Sequence, residues 1–345
     1  MRTTFISTLT VMNSPRNALP RLQSELADAS KELTTGRRAD LGLSLGVGTA
    51  ESVRLRAEDA SVRRYFDGNS AMAAQLERTQ ATLDDMRTQA DKFQQMLSSI
   101  SDADGAASVL QQQAGGFLDA LTSTLNLTDG RRYLFGGINS GQKPINNLDE
   151  GPGAAIVTAF NTRFGFDPSD PATGTIPAAD LENFIDNEFA AMFEEPGWSA
   201  TWSDASSTNL RSSISPLERI ETSANANEPA MRKLAMAYTM VAALGTEHLR
   251  GSALAMVMDK ARSLTGTGTS ELISISTRLG TSQNRIEAAN SLMQRGLDTI
   301  GKRIDKLESV DPAEAKTKLD LISTQIEMSY SLTARILKMS IMNYV

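Results

Sequence analysis

Residues 51–100 read ESVRLRAEDASVRRYFDGNSAMAAQLERTQATLDDMRTQADKFQQMLSSI, a run with no proline and one glycine, Gly68. Stepping by alternating threes and fours picks out Leu55, Glu58, Val62, Tyr65, Asn69, Met72, Leu76, Thr79, Leu83, Met86, Ala90, Phe93, Leu97 and Ile100. A mostly apolar stripe held in heptad register for this long predicts a single helix lying along other helices. At the usual rise per residue it would reach about 70 Å.

Similar stripes occur on both sides. One runs Leu110, Ala114, Phe117, Leu121, Thr124. A second runs Met231, Leu234, Tyr238, Val241, Gly245, His248, and a third Leu272, Ile275, Leu279, Ser282, Ile286, Ala289, Met293, Gly296, Ile300. Two Gly-rich stretches, GLSLGVGT (42–49) and TGTGTS (265–270), read as breaks between helices; neither carries the Gly-Lys-Ser/Thr of a phosphate loop. Pro312 ends one helix, and Asp311 is placed to cap the next, which is expected from about residue 313 onward.

The middle of the chain is different. Eight prolines (144, 152, 168, 171, 177, 196, 216 and 229), both tryptophans and six phenylalanines fall within residues 144–229. INNLDEGPGAAIVTAFNTRFGFDPSDPATGTIP (145–177) reads as short strands and loops, and AADLENFIDNEFAAMFEE (178–195) as one helix. The aromatic side chains suffice for a small core of their own. The expected fold is mainly α: a long antiparallel helical rod or coiled coil built by both chain halves, with a small β-containing inserted domain. The expected division is 1–45 with 305–345 as a terminal coiled coil, 46–132 with 230–304 as the helical rod, and 133–229 as a β-rich insert.

Both ends are apolar. Leu19, Leu22, Leu26, Ala29 and Leu33 repeat at helical spacing, and Phe5, Leu9 and Met12 extend the pattern back. Pro15 and Pro20 predict that this helix is kinked or starts near Pro20. The last helix finishes SLTARILKMSIMNYV (331–345). Leu319, Ile326, Leu337, Ile341 and Tyr344 lie along one stripe, and Leu321, Met328, Leu332 and Met339 along an opposite one. A helix apolar on two sides is expected to be buried on two sides. Ordering each residue costs roughly 1–2 kcal/mol, and burying a large apolar side chain returns about 1.5–3 kcal/mol. One partner helix covers one face at best, so the ends should be loose in the monomer and ordered in an assembly of copies. The candidate assembly interface is Leu22, Leu26, Leu33, Leu319, Ile326, Leu332, Ile336, Met339, Ile341 and Tyr344.

Composition removes several function classes. A net charge of −7 argues against nucleic acid or an anionic membrane as partner. With no cysteine and one histidine, Cys/His nucleophilic sites and His-based metal clusters cannot be built. His248 lies on an apolar stripe and reads as a packed or interfacial residue. Asp84-Asp85 and Glu194-Glu195 read as solvated acids, and DPSDP (167–171) as turn chemistry. No catalytic residue, cofactor or metal is expected; a structural protein, not an enzyme, explains the stripes, the apolar ends and the missing catalytic groups, whereas a binding or enzymatic module would explain only the aromatic-rich middle. It has no run of about 18 apolar residues that could span a membrane. MRTTFISTLTVMNS lacks the continuous apolar run of a signal peptide.

Three stretches resemble the flagellin superfamily. ELTTGRRAD (32–40) looks like its Leu-(Ser/Thr)-(Ser/Thr)-Gly-(Arg/Lys)-Arg turn, occupied by Leu33, Thr34, Thr35, Gly36, Arg37 and Arg38. GRRYLFGGINSGQKPIN (130–146) resembles the stretch after the second long helix in members at the hook–filament junction; Gly130, Tyr133, Leu134, Phe135, Gly136, Gly137 and Pro144 match it. ARILKMSIMNYV looks like the superfamily's C-terminal helix. The resemblance covers both flanks and not the middle. The usual Asp-Asp-Ala/Pro signature after the first turn is absent, with LGLSLGVGTAES (41–52) in its place.

The resemblance implies terminal helices lining the inner tube of a bacterial flagellum, in a homo-oligomeric ring or tube. It implies a junction between hook and filament, beside the neighbouring hook-junction protein and flagellin; the alternative is a flagellin forming the filament itself. It also implies secretion, unfolded, through the flagellar type III channel, helped by an export chaperone.

Overall fold

The computed structural model describes residues 8–99 and 106–342. The predicted long helix is α3, Gly48–Ser99, preceded by α1 (Thr8–Thr35) and the short α2 (Leu41–Leu45) and followed by α4 (Ala106–Leu125). The C-terminal half supplies α8 (Pro229–Ala243), α9 (Gly251–Glu308) and α10 (Pro312–Met342). Between them lie α5 (Pro152–Phe164), α6 (Ala178–Phe184), α7 (Gly197–Thr201) and one antiparallel hairpin, β1 (Arg211–Ser215) with β2 (Glu218–Glu221). The fold is mainly helical with a small β part, and helices from the two halves pack together, α4 on α8 and α1 on α10.

The chain divides into two compact units, residues 65–291 and residues 1–64 with 292–345. In the first, the heptad stripes are the core. Leu76, Leu83, Ala90 and Phe93 of α3 are buried together with Leu110 and Ala114 of α4. Met231, Leu234 and Tyr238 of α8 and Leu272, Leu279 and Ile286 of α9 join the same cluster. Tyr238 meets Phe93 edge-on at 4.6 Å between ring centroids. Asn69, also on the stripe, is buried; its side chain donates to the Ile214 carbonyl at 3.0 Å and to Asn290 Oδ1 at 2.9 Å, tying the hairpin to α3 and α9.

The middle segment corrects the expected strands. Residues 152–164 form α5, with Pro152 at its first position and Gly165 ending it at φ +87°. Ile156 and Phe160, four apart, are both buried on it. That helical spacing outweighs the turn residues around it, because Pro and Gly here sit at the two ends where helices tolerate them. Among the described residues β1 and β2 are the only strands, so residues 133–229 are not β-rich. The helical reading of 178–195 agrees through Phe193, with a change of pitch: α6 passes into a π turn over Ile185–Phe189 and a 3-10 turn over Ala190–Phe193. Trp198 stacks on Trp202 at 5.6 Å. These aromatics belong to the same continuous cluster as the long helices and do not form a separate core.

TGTGTS is also corrected, since α9 runs through it. A Cβ on Gly266 would stand 3.1 Å from Gln94 Nε2, and one on Gly268 3.0 Å from Leu234 Cγ. These glycines let neighbouring helices approach; they do not end one. GLSLGVGT does separate helices. Asp40 caps α2 by accepting from the Leu43 amide, and Gly46, at φ +54°, turns the chain before α3. At the N-terminus, α1 continues through both Pro15 and Pro20 and does not start near Pro20. Each proline removes one backbone donor, and the remaining turns hold the helix.

Candidate assembly surface

The second unit is built from the two ends of the chain. Glu32 meets Lys318, while Gln23, earlier on α1, donates to Tyr330, later on α10, at 3.4 Å. The two helices are therefore antiparallel. Leu22, Ala29 and Ile322 are buried between them, with Leu26, Leu319 and Ile326 packed around. This is a narrow seam. Other apolar side chains of α10 lie outside it: Leu321 is 58% exposed, Met328 59% and Leu332 51%. Leu33 on α1 is exposed as well.

Of the ten candidate interface residues, Leu22, Leu26, Leu319 and Ile326 come together on the seam. Leu33 and Leu332 face outward. The side chains of Ile336, Met339 and Ile341 lie outside the described residues, as does Tyr344 altogether.

The helix pair hangs from a small joint. Gly36 adopts φ +66° after α1, a backbone region that L side chains seldom enter. The next residues bridge to the turn between α9 and α10: the Arg38 amide donates to the Glu308 carbonyl at 2.9 Å, and the Val310 amide to the Gly36 carbonyl at 3.0 Å. Beside the bridge the Glu308 side chain is fully buried. Its Oε1 accepts from Ser52 Oγ at 2.6 Å and Arg56 Nε at 2.7 Å. Its Oε2 accepts from Arg56 Nη2 at 2.5 Å and Arg37 Nη1 at 3.4 Å. The Arg56 hydrogen bonds, aided by Ser52 and Arg37, hold this carboxyl below the ordinary value of 4.5 despite its burial. Glu32 is also held low: burial opposes ionisation, and hydrogen bonds from the Ala39 amide and Lys318 outweigh it. Asp311 caps α10 by accepting from the Ala313 amide at 2.8 Å.

Sequence reasoning missed Glu308. A signal for it was present: Glu308 falls four residues after Ile304 on a stripe with Leu297 and Ile300, all three of which are buried. A carboxylate on an apolar stripe needs a cation, and Arg56 is one residue from buried Leu55. His248 does pack, with Nε2 3.0 Å from the Ser169 carbonyl. Among the described residues no group of acidic, His or Cys side chains could hold a metal ion, and no helix is long and apolar enough to cross a membrane.

Both flanks match a known family. Residues 6–140 match the bacterial flagellin N-terminal helical region, and residues 263–345 the bacterial flagellin C-terminal helical region. The chain belongs to the flagellin family. Members are structural, non-enzymatic proteins that are exported and self-assemble into the extracellular flagellum, and this chain is a flagellar structural protein. A solved structure from Vibrio parahaemolyticus, assigned as a flagellar hook-associated protein, has the same fold: TM-score 0.55, covering 77% of this chain and 99% of that one. At 9% identity the likeness is one of fold alone. No curated protein matches the chain.

Proposed function

We propose that this flagellin-family chain is a junction subunit between hook and filament, of the hook-associated protein 3 kind. It self-assembles in a ring or tube through its terminal helices. The observation that carries self-assembly is α10, which uses one face on α1 and leaves Leu321, Met328 and Leu332 in solvent. An apolar row repeated along one helix face marks a contact surface. Of the ten candidates, Leu33, Leu332, Ile336, Met339, Ile341 and Tyr344 belong to this interface, while Leu22, Leu26, Leu319 and Ile326 serve the α1–α10 seam; the neighbouring hook-junction protein and flagellin are further partners. Export through the flagellar type III channel with a chaperone completes the reading.

The junction assignment is favoured by YLFGG. Phe135 is fully buried, and its carbonyl accepts from the Ala226 amide at 2.8 Å. Gly137, at φ +59°, lies so close to the Ser206 and Thr208 carbonyls that a Cβ there would be 2.4 and 2.7 Å away. The motif is thus a packed element of the fold and not a loose loop. It lies where residues 133–229 begin as the proposed insert. Immunogold labelling of intact flagella tests the role. A narrow band at the hook–filament boundary is expected; label along the whole filament would make the chain a flagellin instead.

A further inference from the structure

Beside the terminal joint is a notch of about 450 Å³ lined by Lys31, Arg37, Arg38, Arg56, Asp40 and Glu308, together with short side chains and backbone of residues 35–41. Four cations face two carboxylates there, in a chain whose net charge is −7. Both carboxylates are occupied. Glu308 is saturated by Ser52, Arg56 and Arg37, and Asp40 accepts from the Leu43 amide at 3.0 Å. Arg38 is exposed, and among the described residues its guanidinium makes no ion pair or side-chain hydrogen bond. Leu43 of α2, whose amide makes that bond to Asp40, is 88% exposed.

The complementary surface is on α10. Asp320 and Glu327 are exposed, make no ion pair among the described residues, and immediately precede exposed Leu321 and Met328. Arg38 acts on Glu32 only at a distance, so one chain carries a cation without a hydrogen-bonded partner beside exposed Leu at one place, and acids without an ion pair beside exposed apolar residues at another.

We propose that the notch receives the Asp320–Met328 face of α10 from a second copy, with Arg38 paired to Glu327 or Asp320 and Leu43 against the apolar row. The inference rests on the self-assembly reading above and specifies its contact. When one notch holds one α10 face, the first copy's own α10 face and the second copy's notch stay open to further copies. Joined singly in this way, opposite charges meet in the head-to-tail geometry that continues into rings or tubes.

The absence of cysteine makes the test direct. Arg38→Cys and Glu327→Cys chains, carrying different tags, are mixed at a concentration where the wild type assembles and are mildly oxidised. A parallel mixture uses Asp320→Cys. A disulfide joining the two tags is intermolecular by construction. The expected result is that at least one mixture gives the mixed dimer several-fold above both same-tag dimers. In the companion experiment Arg38→Glu blocks assembly, and adding the charge reversals Asp320→Arg and Glu327→Arg restores it. Assembly with no excess of mixed dimer in either mixture, or Arg38→Glu assembling normally, overturns the contact while self-assembly stands. Failure of the wild type to self-associate would instead defeat the underlying reading and this contact with it. Unchanged thermal melts of the variants verify that loss of assembly is not loss of folding.

Discussion

Arg56 and Glu308 are 252 positions apart in sequence, yet the guanidinium and the buried carboxylate form two hydrogen bonds, 2.7 and 2.5 Å long. With Ser52 and Arg37 they lock the first part of the chain to the last. The carboxylate is shut from water while Arg56 is half-exposed. The pair therefore matters less for raw Coulomb energy than for the partners it would leave unmet.

Glu308→Ala should destabilise the terminal unit by roughly 2–3 kcal/mol, the range for lost hydrogen bonds to a charged group discounted for the exposed arginine. Amide hydrogen exchange in α1 and α10 checks this. Faster exchange there, with little change in residues 65–291, is the expected pattern. Protection equal to wild type would mean the carboxylate is dispensable.

The same groups set a pH response. Glu308 and Glu32 have folded-state values below the ordinary 4.5. Their stabilisation is therefore fully present above that value and is lost as pH falls through their lowered values. Local opening of the terminal unit, read from amide exchange corrected for its intrinsic pH dependence, should rise as pH drops below about 4.5. Glu308→Gln should flatten that rise, since the amide has no proton to gain. An unchanged acid slope in this variant would show that other groups control the response.

Glycines in the long helices divide by what surrounds them. Gly68 on α3 is exposed with nothing near its missing Cβ, so Gly68→Ala should stabilise residues 65–291 by about 0.5–1 kcal/mol. Gly268→Val should do the opposite, because even the Cβ meets Leu234 at 3.0 Å. Denaturant unfolding followed by the buried Trp198 and Trp202 reports both. Equal responses at the two positions would contradict the packing described.

Long helices were legible in the sequence because apolar residues at threes and fours describe a buried face directly; Leu76, Leu83 and Phe93 are buried as the stripe requires. The seam of Leu22, Leu26, Leu319 and Ile326 was legible for the same reason. Residues 145–177 were misread because Pro152 and Gly165 look like loop signals until their places at the two ends of α5 are known. TGTGTS misled similarly: whether a glycine ends a helix or admits a neighbour depends on Gln94 and Leu234, far away in sequence. The joint at Glu308 depends on three partners from residues 37–56, a long-range meeting that no local pattern states. Of the assembly candidates, Leu33 and Leu332 needed the structure, which alone tells a seam face from an outer one.

The central claim is that α10 folds with one face and assembles with the other. Ile322→Asp, on the seam, should loosen the α1–α10 pair at a cost of several kcal/mol. Met328→Asp, on the outer face, should leave monomer stability within about 0.5 kcal/mol, as surface changes usually do. Sedimentation velocity of Met328→Asp, under conditions where the wild type assembles, is the most direct measurement. A folded monomer that does not assemble is the predicted result. Assembly of Met328→Asp at the wild-type concentration would contradict the account.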